Sequence, residues 1–270
     1  MKMNKNLFLL TLSQVFGFTA ATITVFLSGI IGSEITSIKF LSTLPTAIYV
    51  VGTAIFTILA AKIMSKIGRR LGFIFAAFGS SAASLLGAAA ISQQNFILFC
   101  VSCLILGMGA AFIHQYRFAA VESVEKEKAP KAISILMLAG IVAAFLGISS
   151  ANYTKNLIPD YLYVGSYLML AAFTFMPAIF LFFYKNNEKT KIDLNNNYSG
   201  RRLFEIISQP RFFQAVIASA FAYAVMSYLM TATPMSMHLM EKMSLEKTGL
   251  VLQFHVAAMF LPSLITGNLI

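Results

Sequence analysis

The chain has 270 residues, 58% of them hydrophobic and only 11% charged, where a soluble domain would carry roughly a quarter charged residues. This excludes a water-soluble globular enzyme and makes lipid the solvent of most of the chain. The net charge of +10, which in a soluble protein would point to nucleic acid, therefore has to be read by where the cations fall.

A bilayer core of ~30 Å needs about 20 consecutive apolar residues per helix. Eight such runs occur, at 7–31, 41–64, 71–91, 96–120, 132–154, 161–184, 212–237 and 249–270. In hydrocarbon every backbone group must bond internally, which leaves helices or a closed barrel. The runs are continuous rather than alternating, so the expected fold is all-α and polytopic, with about eight transmembrane helices. The first run follows Lys2 and Lys5. It is about twice the length of a secretory h-region, and seven further runs follow it, so it reads as a span and not as a cleaved signal.

Along the chain, span one carries Gln14, a candidate cavity-lining residue because polar side chains in membrane helices face the bundle interior. Span four holds Cys100 and Cys103, one turn apart, which read as small packing residues. Cys103, Gly107, Ala110, His114 and Arg117 share one helical face, small residues first and cationic ones last. Small residues permit close helix approach, and His114, Gln115 and Arg117 are candidates for the cavity. Arg117 lies about 31 Å from Phe96 at ~1.5 Å per residue, close to the membrane surface.

The longest polar stretch, 185–211, reads as a flexible cytoplasmic linker ending in a short interfacial helix around Leu203, Phe204, Ile206 and Ile207. It divides the chain into a six-helix bundle at 1–184 and a two-helix segment at 212–270. A shift of 206 residues lays spans one and two on spans seven and eight, with 61–64 falling on 267–270, as expected of repeated halves. Gln214 and Tyr223 in span seven, and Gln253 and His255 in span eight, are further cavity candidates. His255 is also a candidate proton carrier. Six of the fourteen methionines fall between Met226 and Met243, with His238 among them. They suit a promiscuous apolar cavity, and copper(I) binding is the competing reading.

With eight spans the cations sort by side. The N-terminus and the 62–70, 117–131 and 185–211 segments hold sixteen of the twenty Lys and Arg, and the other side holds Lys39, Lys155, Lys242 and Lys247. This bias predicts a cytoplasmic N-terminus. No Gly-rich Lys-Ser/Thr phosphate loop occurs, and no Ser, His and Asp arrangement suggests hydrolysis. The expectation is a protein that is not an enzyme and has no cofactor, no resident metal and no nucleic-acid partner.

After span two the chain reads Ala61-Lys62-Ile63-Met64-Ser65-Lys66-Ile67-Gly68-Arg69-Arg70. This resembles the signature between helices two and three of the major facilitator superfamily, Gly-x-x-x-Asp-Arg-x-Gly-Arg-Lys. Lys66, Gly68, Arg69 and Arg70 fit the pattern, whereas Ala61 and Ser65 replace its Gly and Asp. Gly107 to Ala111, Tyr116 to Glu122 and Pro130 to Ser134 resemble the family's fourth helix and the start of its fifth. Cys103 stands where many members have Arg. Gly140 and Gly147 lie where an antiporter Gly/Pro motif would fall, and no Pro accompanies them. Gln253 to Gly267 is similar to a subgroup of bacterial permeases.

The resemblance implies a secondary transporter of a drug, metabolite or vitamin, working by alternating access in a bacterial inner membrane and driven by a proton gradient. It makes Lys66, Gly68, Arg69 and Arg70 a gating motif. Arg69 and Glu122 both fall at the cytoplasmic ends of neighbouring spans and are expected to pair when the inner gate is shut, which adds Glu122 to the motif. The family has twelve spans, so the resemblance also implies a C-terminally truncated chain. The alternative is a non-transporting remnant, or a fragment that needs a second chain to supply four helices.

Overall fold

In a computed structural model, residues 4–185 and 203–265 are described. The 186–202 part of the expected linker and the 267–270 repeat register lie outside them. The described residues contain eight helices long and apolar enough to cross a membrane: Lys5–Ile35, Lys39–Ile67, Arg69–Ser92, Phe96–Glu122, Lys126–Thr154, Val164–Phe182, Pro210–Met240 and Leu245–Ile265. The short helix expected ahead of span seven is present at Leu203–Ile207.

Spans 1, 4 and 7 are irregular along their length, which apolar run length does not register. Span 1 consists of α1 (Lys5–Gly17) and α2 (Thr19–Ile35), joined at Phe18. There Thr19 Oγ donates to Phe16 O at 2.5 Å, a side chain replacing part of the interrupted helical ladder. Span 2 is α3 (Leu44–Ile67) and span 3 is α4 (Arg69–Ser92). Span 4 is α5 (Phe96–Ile113) followed by α6 (Tyr116–Glu122), with His114 and Gln115 forming the break. Spans 5 and 6 are α7 (Ala129–Thr154) and α8 (Val164–Phe182). The Leu203–Ile207 helix is α9. Span 7 is α10 (Pro210–Met235), which runs past Pro234 into a π-helical turn at Ser236–Met240. Proline removes a ladder hydrogen bond and a π turn absorbs the mismatch. Span 8 is built on α11 (Leu245–Phe260).

Lipid tails are as apolar as the side chains, so helices in a membrane associate through close van der Waals contact and small residues at the seams. Spans 2 and 4 show this directly. A Cβ on Gly52 would stand 2.6 Å from the Leu104 carbonyl oxygen, and one on Gly107 would collide with the Tyr49 carbonyl. Both helices therefore need hydrogen at these sites, and Thr53 Oγ closes the seam by donating to Gly107 O at 3.1 Å. Spans 3 and 6 form the other tight pair, joined by Ser81 Oγ donating to Ala171 O at 2.9 Å. Spans 7 and 8 then pack on the first six, α10 against α2 and α11 against α7. Gly140 lies under the Phe260 ring, where a Cβ would come within 2.7 Å of it, and Gly29 leaves space for the Met235 thioether.

Candidate functional site

One polar cluster sits at the bundle end that carries the N-terminus. Gly68 joins α3 to α4 at φ 85°, ψ 157°, a conformation essentially reserved for glycine. The turn delivers Arg69 at the start of α4 beside Glu122 at the end of α6. Arg69 Nε donates to Glu122 Oε2 at 2.7 Å and its Nη2 to Oε1 at 2.5 Å, a bidentate pair with the two side chains 19% and 31% exposed. Arg70 donates to the Phe182 carbonyl and stacks 5.1 Å over the Phe182 ring. Asn4 donates to the Ser123 carbonyl, and Asn6 and Lys185 exchange hydrogen bonds between the starts and ends of spans 1 and 6. Tyr184 is buried against Ser123, Arg69 and Glu122, and burial pushes its phenol above the ordinary range, keeping it protonated. Lys66 is exposed in the last turn of α3, and Ser65 donates to its own helix at Lys62 O, 2.8 Å. The cluster thus ties spans 1, 3, 4 and 6 together with paired charges and carbonyl contacts.

The second site is a cavity of about 110 Å³ in the middle of the bundle, walled by spans 1, 2 and 4 on one side and spans 7 and 8 on the other. Aromatic rings come from Phe18, Tyr49, Tyr223 and Phe260, and thioethers from Met226, Met230 and Met259. Hydroxyls come from Thr22, Thr46, Thr53, Ser227 and Thr231. His114 is the only ionisable imidazole, ammonium, guanidinium or carboxylate group among the lining residues described. Two breaks in the helices form part of this wall, since Phe18 is the junction of span 1 and His114 the junction of span 4. Interrupted helices leave backbone groups and side chains aimed away from the ladder, which is how broken membrane helices line cavities.

Among the cavity candidates read from sequence, the structure brings His114 and Tyr223 together at this wall. The other six lie elsewhere. Gln253 joins spans 8 and 5 by donating to Ser149 Oγ at 2.9 Å and Phe145 O at 3.4 Å. Arg117 turns back on its own helix to His114. Gln115 is buried at the span 4 break, and Gln214 is exposed near the start of α10. Gln14 Oε1 and His255 Nε2 are buried without a hydrogen-bond partner among the described residues. Cys100 and Cys103 are free and buried. Gly140 and Gly147 lie at helix seams, receiving Phe260 and Thr22 from neighbouring spans. Of the methionine group, Met226 and Met230 face the cavity, and the described residues hold no cluster of three His, Cys, Asp or Glu side chains arranged for a metal.

Apart from Tyr223, sequence reading missed the hydroxyl and aromatic lining, because Thr, Phe and Tyr occur equally on packed and lipid-facing surfaces. The i, i+4 spacing of Phe18 with Thr22, and of Tyr49 with Thr53, was the available signal. It repeats in span 7 as Tyr223, Ser227 and Thr231.

The sequence profile of the Major Facilitator Superfamily matches residues 7–270. The riboflavin transporter RfnT of Brucella anthropi is 35% identical over 266 residues, covering 98% of this chain and 67% of the relative. The MFS-type transporters YdeG and YddS of Bacillus subtilis are each 27% identical over 98% of the chain and 64% of their own length. The chain thus spans about two thirds of the length of the curated relatives it matches. No solved structure matches it. An end-to-end profile match, a relative well above 30% identity and eight membrane-length helices agree: the chain belongs to the Major Facilitator Superfamily, a family of integral membrane transporters.

Proposed function

We propose that the chain moves a flat, uncharged aromatic solute of the riboflavin type across a bacterial inner membrane by alternating access. The observation that carries this reading is the cavity, whose wall is shared between spans 1, 2 and 4 and spans 7 and 8. Rocking of 1–184 against 212–270, connected by 185–211, would expose such a site to each side in turn. Ring faces and thioethers suit contact with an aromatic ring, and the hydroxyls offer donors and acceptors to its carbonyls. The rocking must widen the cavity of about 110 Å³ to admit a whole tricyclic solute. The similarity to a riboflavin transporter adds to this reading.

In this scheme the N-terminus is cytoplasmic, a reading the cation bias supports. The Lys66, Gly68, Arg69, Arg70 and Glu122 cluster is the inner gate, closed when Arg69 and Glu122 are paired. A proton gradient is the driving force. A second reading, a partner chain packed against spans 7 and 8, is favoured by span 7, whose most apolar window has none of its residues buried in the described structure.

Purified protein in liposomes, given radiolabelled riboflavin with and without an imposed pH gradient, tests both readings. Saturable accumulation that a protonophore abolishes is expected. Absence of saturable riboflavin flux defeats the substrate assignment, and flux insensitive to the protonophore defeats proton coupling. Flux that appears only with a co-expressed second chain favours the second reading.

A further inference from the structure

His114 stands at the break in span 4, where the helical ladder is interrupted between α5 and α6. The interruption frees its carbonyl, and Arg117 Nε donates to that oxygen at 3.0 Å. The same guanidinium brings Nη2 to 3.4 Å from His114 Nδ1. A guanidinium has five donors and no acceptor, so the imidazole nitrogen that faces it must present a lone pair. A ring with a lone pair on Nδ1 carries its proton on Nε2. No other hydrogen bond of the His114 ring is found among the described residues, so the Nε2–H remains unspent on a side chain that lines the cavity. The remaining polar groups of the wall are hydroxyls, which rotate and serve as donor or acceptor alike. Thr53 spends its hydroxyl on Tyr49 O and Gly107 O, and Thr22 spends its own on Thr19 O.

We infer that Arg117 fixes His114 as its Nε2–H tautomer, so that span 4 presents one oriented hydrogen-bond donor to a carbonyl or ring-nitrogen acceptor of a flat, uncharged ligand in the cavity. This rests on the proposed aromatic-solute reading and deepens it: the aromatic and thioether wall selects the ring, and His114 selects its acceptor edge. Arg117 is a positioning residue. It acts through the imidazole and holds it with two contacts from one rigid fork, on the ring and on the backbone. The guanidinium points back along its own helix in doing so, which accounts for its place outside the cavity wall.

The test has a part that needs no ligand. Nitrogen-15 NMR of histidine-labelled protein in nanodiscs, with the His114 signal identified by its loss in His114→Gln, reports which ring nitrogen is protonated. The expected spectrum at pH 7.5 shows Nδ1 bare and Nε2 protonated in the wild type, and a mixture of tautomers in Arg117→Met. A wild-type ring protonated on Nδ1 overturns the inference, as does a tautomer that Arg117→Met leaves unchanged.

The second part uses quenching of riboflavin fluorescence by the same protein. His114→Leu is expected to weaken binding about tenfold, the worth of one hydrogen bond. His114→Gln, whose amide can still donate, is expected to restore most of it. Equal affinity in wild type and His114→Leu overturns the donor role and leaves the flavin reading standing. A wild type that holds the expected tautomer but does not quench riboflavin removes flavin from the site, while the histidine–arginine arrangement stands.

Discussion

The end of the bundle around Arg69 and the cavity around His114 handle polar chemistry in opposite ways. At the rim, full charges are present and both arginines are held: Arg69 by a carboxylate, Arg70 by a carbonyl and a ring face. In the cavity, carboxylates, ammonium groups and guanidinium groups are absent from the described lining. The polarity is carried by hydroxyls and one imidazole set among rings and thioethers. The reason lies in desolvation. Near the headgroups, charges remain partly solvated and their pairing costs little. At mid-membrane an unpaired charge is costly enough to be rare. On the proposed reading, a site that empties and refills is built from groups that tolerate the loss of their ligand.

The largest effect expected from testing that contrast is at the seam beneath the cavity. Gly107→Val drives a branched side chain into the Tyr49 carbonyl and parts spans 2 and 4. A destabilisation of about 3 kcal/mol follows for overpacking of this kind, read as loss of the monodisperse peak in size-exclusion chromatography. A variant that elutes and melts like wild type would show that the seam is loose. Next comes Gly68→Ala, which places a Cβ on a turn at φ 85°. About 2 kcal/mol of strain is expected, seen as a lower melting temperature in detergent. The folded fraction should still bind riboflavin, because the strain falls on the rim.

Smaller again is the ion pair itself. The two side chains are 19% and 31% exposed, so solvent screening leaves a coupling of about 1 kcal/mol for Arg69 with Glu122. A double-mutant cycle of Arg69→Gln and Glu122→Gln on thermal stability measures it, and zero coupling would reduce the pair to two solvated charges. Transport unchanged in Glu122→Gln would remove the gating role. The smallest effect is at Gln253, whose bonds to Ser149 and Phe145 are interhelical glue. Gln253→Leu should cost about 0.6 kcal/mol, the mean for such bonds in membranes, with riboflavin affinity unaltered. Affinity lost at this position would return Gln253 to the binding wall.

The spans were legible because the bilayer imposes a length on apolar runs, and 7–31 or 212–237 need no packing information to be recognised. The structure enlarges these two to Lys5–Ile35 and Pro210–Met240, because their polar first and last turns continue the helix beyond the hydrocarbon. The rim was legible through its charges and through Gly68. The cavity was much less so. Gln14, Gln214 and Gln253 were chosen for being polar in an apolar run, yet the amide of Gln253 is consumed by a neighbouring helix and Gln214 lies near the end of one. Phe18, Phe260 and Met259, which do line the cavity, have no polarity to set them apart from lipid-facing neighbours.

From the sequence alone follow the solvent, the number of membrane-length helices, the gathering of cations in alternate connections and the family, since each depends on composition summed over a run or on a motif in one loop. Tertiary structure alone decides that span 1 breaks at Phe18 and span 4 at His114, and that Gly107 belongs to Tyr49. It also decides the bidentate geometry of the expected Arg69–Glu122 pair and the turn of Arg117 back onto the ring and carbonyl of His114. Those facts depend on which faces of distant helices meet. In lipid the meeting is settled by shape and hydrogen bonding between helices, not by a hydrophobic pattern that any single helix can display.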